Sequence, residues 1–308
     1  MSGDDAVVSA PLERHSHVAE VVSVVDAIQD GMTVAIGGFI NSGHPMAIIR
    51  ELVRAGRRDL TVVGAASAGL EVDMLIAAGC VATVMTPYVG GEGIAAVGPA
   101  FRRAAQCGEI EVVELDEAHY YAGLRASAQR LPFNPWRAGV GTSLPEVNPR
   151  LKLFRDPVND ELLLAVPAIE IDVSLLHAAF GDIYGNVRHN GTRYGDIAIS
   201  AASERSFVSV ERVITPETTR ANPLATSIDG VEGIVRATFG AHPFAAEGFY
   251  RPDEEHLREY VMAASDWLKS GSRTALDDYL GRYVLTPKDH AEYLDVVGFR
   301  RILGLYEF

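Results

Sequence analysis

The stretch VVELDEAHYYAG, residues 112–123, sets Asp116 and Glu117 side by side and follows them with His119, Tyr120 and Tyr121. An apolar run ends at Leu115, and a helical pattern starts at Glu117. A helix start uses one capping oxygen, and Asp116 at the N-cap can accept the free N–H groups of the first turn. Glu117 is then the first helical residue and is not needed for the cap. Two roles are open to it. One is a favourable interaction with the helix dipole, worth about 0.3–1 kcal/mol. The other is a general base in an acyl pocket, with His119 and Tyr120 near it, acting on water or on a substrate α-proton. A helix N-terminus lowers a carboxyl pKa and apolar burial raises it, so a useful base at neutral pH needs burial to dominate. Arg125, two turns on, is placed to pair with an acid. Arg137, in the loop after Pro135, is of the type that binds a substrate carboxylate.

Three other stretches are rich in glycine and small residues: GGFINSGHP (37–45), GAASAG (64–69) and PYVGGEG (87–93). They hold Gly37, Gly38, Asn41, Ser42, Ser67, Gly90 and Gly91 as candidate substrate-binding residues. Backbone N–H groups beside helix N-termini suit an anion, an acyl carbonyl or an oxyanion. One such loop alone reads as a tight strand-to-helix turn; three on one sheet edge read as a site. LLHAAFGDIYGN (175–186) places His177 at a strand end and Asp182, Gly185 and Asn186 in a tight turn. There the side chains of Asp182 and Asn186 can fix the turn through backbone bonds. His177, and His242 in GAHP (240–243), each read either as a satisfied core histidine or as a site residue.

These residues need elements to hold them. Apolar runs at 32–39, 60–69, 80–85 and 110–115 alternate with helical patterns at 18–28, 45–56, 70–78, 99–106 and 117–131. The strands are continuous apolar runs, which predicts an open parallel-rich sheet with helices on both faces. A Pro-rich segment spans 132–160. Strands are then expected at 161–168, 172–187, 206–211 and 231–237, with a helix at 195–204. From 252 to 308 a helical appendage completes one domain running from residue 18, and residues 1–17 are expected to be a disordered start.

Several classes are excluded. The 308 residues carry a net charge of −14, which disfavours nucleic acid and anionic lipid. No apolar run reaches the roughly 18 residues of a membrane span, and no signal peptide is seen. Cys80 and Cys107 match no metal spacing and read as two buried thiols in a reducing cytoplasm. Among the nine histidines there is no H-E-x-x-H, so no metal is expected. Neither G-x-G-x-x-G, nor G-x-x-x-x-G-K-[ST], nor G-x-S-x-G is present.

Taken together, DGMTVAIGGF, HPMAIIRELVRAGRRDLTVVGAASAG and LLHAAFGDIYGN resemble the α subunits of family I CoA-transferases. GAHPFAAEGFY and the tail LTPKDHAEYLDVVGFRRI look most like the α subunit of glutaconate CoA-transferase. The resemblance runs from about residue 20 to the end. It implies a heteromeric (αβ)n enzyme with a β-subunit partner and an acyl-CoA substrate, and no permanently bound cofactor. In that family a glutamate, usually on the β subunit, attacks the thioester and forms a glutamyl-CoA intermediate. One segment departs from this pattern: ELDEAHYYAGLRASAQRLPFNPWRAGVGTS is more similar to the α subunit of acyl-CoA hydrolases that open steroid rings. There the matching glutamate, at Glu117 here, is implicated in catalysis. CoA transfer is therefore the first expectation, and hydrolysis or C–C cleavage by Glu117 the alternative.

Overall fold

The computed structural model describes residues 14–306. Residues 1–13, and with them most of the expected disordered start, lie outside the described residues. His17 is already tied down: its N–H donates to Ile183 O (2.8 Å).

Helix α1 (Val21–Asp26) leads into β1 (Thr33–Ile36), and α2 (Met46–Arg54) connects it to β2 (Leu60–Val63). Then come α3 (Leu70–Ala77), β3 (Val81–Val84), α4 (Pro99–Cys107), β4 (Glu111–Val112) and α5 (Glu117–Ala128). Next are β5 (Phe133–Trp136), α6 (Leu144–Val147), β6 (Lys152–Arg155), β7 (Leu162–Pro167), β8 (Ile171–Asp182) and β9 (Val187–Arg188). The sheet is finished by α7 (Asp196–Ala202), β10 (Ser203–Ile214), α8 (Pro216–Ala221) and β11 (Gly233–Arg236).

The main sheet runs β11-β10-β8-β1-β2-β3-β4, with only β9 antiparallel, against β8. Registers are regular, Val34 standing opposite Val62 on one side and Val173 on the other. Successive side chains alternate faces. Val34 and Ile36 pack into one apolar layer with α1–α4, while Ala35 enters the layer under α5 and α7. Both faces are covered, which is why the strands read as unbroken apolar runs.

Two expectations need correction. Residues 161–168 do not join the main sheet. β7 is instead the middle strand of a separate antiparallel sheet, β5-β7-β6, whose outer strands lie in the Pro-rich segment. Pro135 is tolerated in β5 because that strand is an edge. Cys107 is exposed at the end of α4, whereas Cys80 is buried and its thiol is pushed up to about 11 by that burial.

The C-terminal helices α9 (Glu254–Ser270), α10 (Thr274–Leu280), α11 (His290–Val297) and α12 (Phe299–Leu303) close the molecule. Leu257, Tyr260, Ala264 and Trp267 of α9 pack into the same apolar layer as α2–α4. Tyr260 also donates to Asp73 Oδ2 (2.6 Å), and Asp73 Oδ1 accepts the Phe101 N–H (2.7 Å) at the start of α4. No helix among the described residues is long and apolar enough to cross a membrane.

Candidate functional site

Strand order reverses between β1 and β8: β2, β3 and β4 extend one way, β10 and β11 the other. In an open parallel sheet, a crevice forms at such a reversal, beyond the C-terminal strand ends. Here it is a small polar cleft lined by Ser42 and Gly43 after β1, His177–Ala179 of β8, His189 and Asp196, and Glu247.

The three glycine-rich loops do meet at this edge. Ile40 N–H donates to Ser67 O (2.8 Å) and Ala68 N–H to Tyr88 O (3.1 Å). Asn41 Nδ2 donates to Glu92 O (3.0 Å). Much of the expected N–H cradle is, however, consumed internally. Gly37 N–H donates to Leu175 O (3.0 Å), Gly90 N–H to Ala68 O (3.1 Å) and Gly91 N–H to Ala95 O (2.8 Å). Gly38 N–H donates to Asp196 Oδ1 (2.9 Å). A Cβ on Gly37 would stand 2.4 Å from the same carboxylate, and Gly38 has φ +99°. Glycine at these two positions is thus required by the approach of Asp196 and by backbone conformation.

Asp196 is buried and serves two loops, since its Oδ2 lies 3.1 Å from His189 Nε2. His189 Nδ1 lies 2.7 Å from Ser227 Oγ. The Tyr194 ring stacks on Phe39 at 4.9 Å, and its hydroxyl donates to Glu247 Oε1. Burial, then the Glu247 bond, push that phenol up to about 12. Glu247 Oε2 accepts the Thr192 N–H (2.7 Å).

Behind the first loop lies a buried pair. His44 Nδ1 is 3.0 Å from Gly37 O, and Nε2 is 3.1 Å from Ile40 O. Glu71 Oε1 is 3.3 Å from His44 Nδ1 and accepts the Gly69 N–H (3.1 Å). Burial pushes His44 down to about 4 and Glu71 up to about 8, so near neutral pH both are uncharged. Ile40, a β-branched residue, has φ +47°. Such a conformation costs on the order of 1–3 kcal/mol and persists only where neighbours over-determine it.

This burial has a pH consequence. The folded chain holds the Glu71 proton to about pH 8, while a carboxyl of ordinary value, 4.5, has lost it in the unfolded chain. Between those values this carboxyl binds fewer protons in the unfolded state, so its own contribution to stability falls as pH rises, by at most about 1.4 kcal/mol per pH unit, while His44 acts in the opposite direction below about pH 6.5. Glu71→Gln keeps the neutral shape. Its melting temperature is expected to drop less than that of the wild type between pH 6.5 and pH 8. Equal slopes would contradict the assignment.

The opening segment is now placed. Asp116 caps α5, Oδ1 accepting the His119 N–H (2.9 Å). Glu117 is exposed at the same sheet edge, not sunk in an apolar pocket of this chain. Its charge and that of Asp196 both act on the half-buried Tyr121 phenol, which burial above all raises. His119 is turned away from the cleft, bonded to Asp116 (2.6 Å) and to Ala138 O (3.1 Å). It lines an apolar cavity of about 220 Å³ with Met85, Val113, Val166 and Ile169. Tyr120 is fully buried beside Tyr121, and its hydroxyl has no hydrogen-bond partner among the described residues. Arg125 lies over the Trp136 ring at 5.8 Å. Arg137 is exposed on β5's outer end, in a two-bond pair with Glu161 (2.7 and 2.5 Å).

His177 bonds to Ser209 Oγ (2.9 Å) and Glu211 Oε1 (3.1 Å), as a satisfied core histidine does. His242 is held between Tyr293 (2.6 Å) and Asp253 (3.1 Å). Asp182 accepts the Tyr184 and Asn186 N–H groups (2.9 and 3.1 Å), so it builds its turn. No group of three or more His, Cys, Asp or Glu among the described residues is placed to hold a metal ion.

A model of the coenzyme A transferase family matches residues 18–235. The chain belongs to the coenzyme A transferase family. It is 37% identical over 257 residues to the cholesterol ring-cleaving hydrolase IpdA subunit of Rhodococcus jostii, covering 79% of this chain and 86% of that one. It is 29% identical over 310 residues to the A-type subunit of glutaconate CoA-transferase from Acidaminococcus fermentans, covering 94% and 95%. The crystal structure of glutaconate CoA-transferase from that organism matches with a TM-score of 0.88 at 28% identity, over 95% of this chain and 96% of that one. The decarboxylase AibA/AibB matches with a TM-score of 0.76 at 28% identity, over 88% and 100%. The chain spans 61% of a longer Archaeoglobus fulgidus protein with which it shares 34% identity.

Asp196, His44 and Glu71 were not singled out by sequence reasoning. Glu71 had a readable signal: in GLEVDMLIAAG, two acids sit inside an otherwise apolar helix, and a fully buried acid needs a reason. Asp196 had none, because its partner Gly38 lies 158 positions away.

Proposed function

We propose that this chain, with a second subunit, moves CoA between an acyl-CoA and a carboxylic acid. The observation that carries this is the meeting of the three small-residue loops at the β1/β8 reversal, in a member of the coenzyme A transferase family. The loops hold the thioester. The nucleophilic glutamate comes from the partner. Its carboxylate displaces CoA from the acyl group, and the thiolate then attacks the glutamyl carbonyl, releasing the first carboxylic acid and leaving CoA on the enzyme. The incoming carboxylate takes CoA by the reverse route.

A second reading is supported by Glu117. Its carboxylate is free of the cap that Asp116 supplies, and the IpdA relative shares 37% identity with this chain. Glu117 would then activate water, or remove an α-proton, and the acyl-CoA would be hydrolysed or cleaved at a C–C bond. Arg137 stays in the proposed substrate set only through closure by the partner, since it does not open onto the crevice of this chain, and Tyr120, fully buried in the core, leaves that set.

The deciding experiment is co-purification with the partner, incubation with acyl-CoA, and trapping with borohydride or hydroxylamine. A trapped glutamyl thioester on the partner is expected. Steady turnover with no trapped species would shift the assignment to the hydrolytic reading.

A further inference from the structure

We propose that Tyr121 is a catalytic residue that touches the substrate: its hydroxyl donates to the thioester oxygen of the acyl-CoA, opposite Glu117. This role rests on the hydrolytic reading of Glu117 above and adds to it the group that meets the oxygen.

Tyr120 and Tyr121 are neighbours with different surroundings. Successive residues on a helix stand about 100° apart. Tyr120 enters the core and is fully buried, while Tyr121 is half-buried and stands edge-on to it at 5.3 Å. Tyr121 follows Glu117 by four residues, so the two share one face of α5. An aromatic side chain on a helix leans back over the preceding turn. The Tyr121 ring therefore lies beside the turn that Glu117 opens. The start of α7 fixes where its hydroxyl is. A Cβ on Gly195 would stand 3.2 Å from Tyr121 Oη. Gly195 has φ −89° and ψ −5°, a conformation open to other residues. Glycine is thus not needed there for the backbone; what it leaves is room for the hydroxyl. Its two neighbours, Tyr194 and Asp196, line the polar cleft. Tyr121 Oη accordingly stands where the first turn of α5 meets the wall of the cleft.

Neither the Tyr121 hydroxyl nor the Glu117 carboxylate enters a hydrogen bond among the described residues. Burial, and after it the charges of Glu117 and Asp196, raise the phenol, so it keeps its proton and remains a donor. A free donor and a free acid, on one helix face and beside the cleft, can take one substrate between them. In hydrolysis Glu117 removes a proton from water, and the water oxygen bonds to the thioester carbon. The C=O electron pair moves onto the thioester oxygen, and Tyr121 donates a hydrogen bond to it without losing its proton. Glu117 has become neutral at that moment, so the new negative charge faces no ionised carboxylate there. The pair then returns, the C–S bond breaks, and the leaving CoA thiolate takes the proton back from Glu117.

The test uses the assembled two-subunit enzyme and follows hydrolysis of acyl-CoA, with kcat and KM read separately. Tyr121→Phe is expected to lower kcat about 10²–10³-fold, the usual loss for one oxyanion donor, with KM changed less than about threefold and the melting temperature kept. Gly195→Ala presses on the hydroxyl without removing it. It should lower kcat at least about threefold, since small misplacements of a catalytic group are costly. In a Tyr121→Phe background it should cost nothing further, because no hydroxyl is left to displace. Should Tyr121→Phe fail to assemble, Gly195→Ala carries the test, and wild-type kcat in it overturns the inference. So does a kcat within about threefold of wild type in Tyr121→Phe. Losses that simply multiply in the double variant mark packing alone and overturn it as well. The reading it rests on fails separately. A wild-type heteromer that hydrolyses no acyl-CoA, or a Glu117→Gln variant that hydrolyses it normally, removes that reading before Tyr121 is changed.

Discussion

Purified without a second subunit, the chain is expected to turn over no acyl-CoA thioester, and activity should return at about 1–10³ s⁻¹ once the partner is supplied. The two carboxylates that line the crevice, Asp196 and Glu247, and the buried Glu211 behind it are already occupied. Asp196 holds Gly38 and His189, Glu247 holds Tyr194 and Thr192, and Glu211 binds Tyr250, Phe239, Gly240 and His177. Glu117 is an exposed acid at the sheet edge, as Glu92 is, and it faces open solvent. A site excluding water needs a second wall. Obligate interfaces bury upwards of about 2,000 Å², so the lone chain should also self-associate. Turnover of about 1 s⁻¹ or more by the single chain, measured at micromolar concentration, would refute this expectation.

In the assembled enzyme, Glu117→Gln is expected to separate two chemistries. Hydrolysis of acyl-CoA should fall by about 10²–10⁴-fold, the usual contribution of a general base. Exchange of CoA between two carboxylates should change less than about threefold if, as proposed, its nucleophile lies on the partner. The substitution leaves the cap intact, since Asp116 and not Glu117 accepts the His119 N–H. It removes only the small dipole interaction, so assembly and melting temperature should be nearly unchanged. A loss below about threefold in both assays would reduce Glu117 to a helix-end charge. A large loss in exchange would make it part of the transfer machinery.

How legible was this in the sequence? The main sheet was, because continuous apolar runs such as VAI and LTVV admit few other environments. Asp116 as the cap of α5 was equally readable, since capping is local chemistry. The β5-β7-β6 sheet was not, because prolines at 132, 135 and 157 mask two edge strands whose pairing partner comes later in the chain. Loop positions followed from strand ends, yet the loops' hydrogen bonds did not. Gly38 finds Asp196, Ile40 finds Ser67, and Gly43 finds Ala245, all at separations no local pattern encodes. His177 shows the same limit from the other side. Its type and place suggested chemistry equally with packing, and only Ser209 and Glu211 across the strand identify it as core.

The pairing of β1 with β8 also sets a schedule for synthesis. β1 is complete at residue 36, but its neighbour on one side begins at residue 171, and the helices that seal its apolar layer run to residue 303. A nascent chain emerging at about 5–20 residues per second therefore carries a central strand with one edge unpaired for roughly 7–27 seconds before β8 appears. During that interval the strand edge that β8 will cover is open to other chains. Long-range parallel pairing is slow and aggregation-prone for this reason. A ribosome pausing between residues 40 and 170 would prolong the exposure, so codon choice in that interval, and the supply of chaperone, should govern the soluble yield of this subunit more than its final stability does.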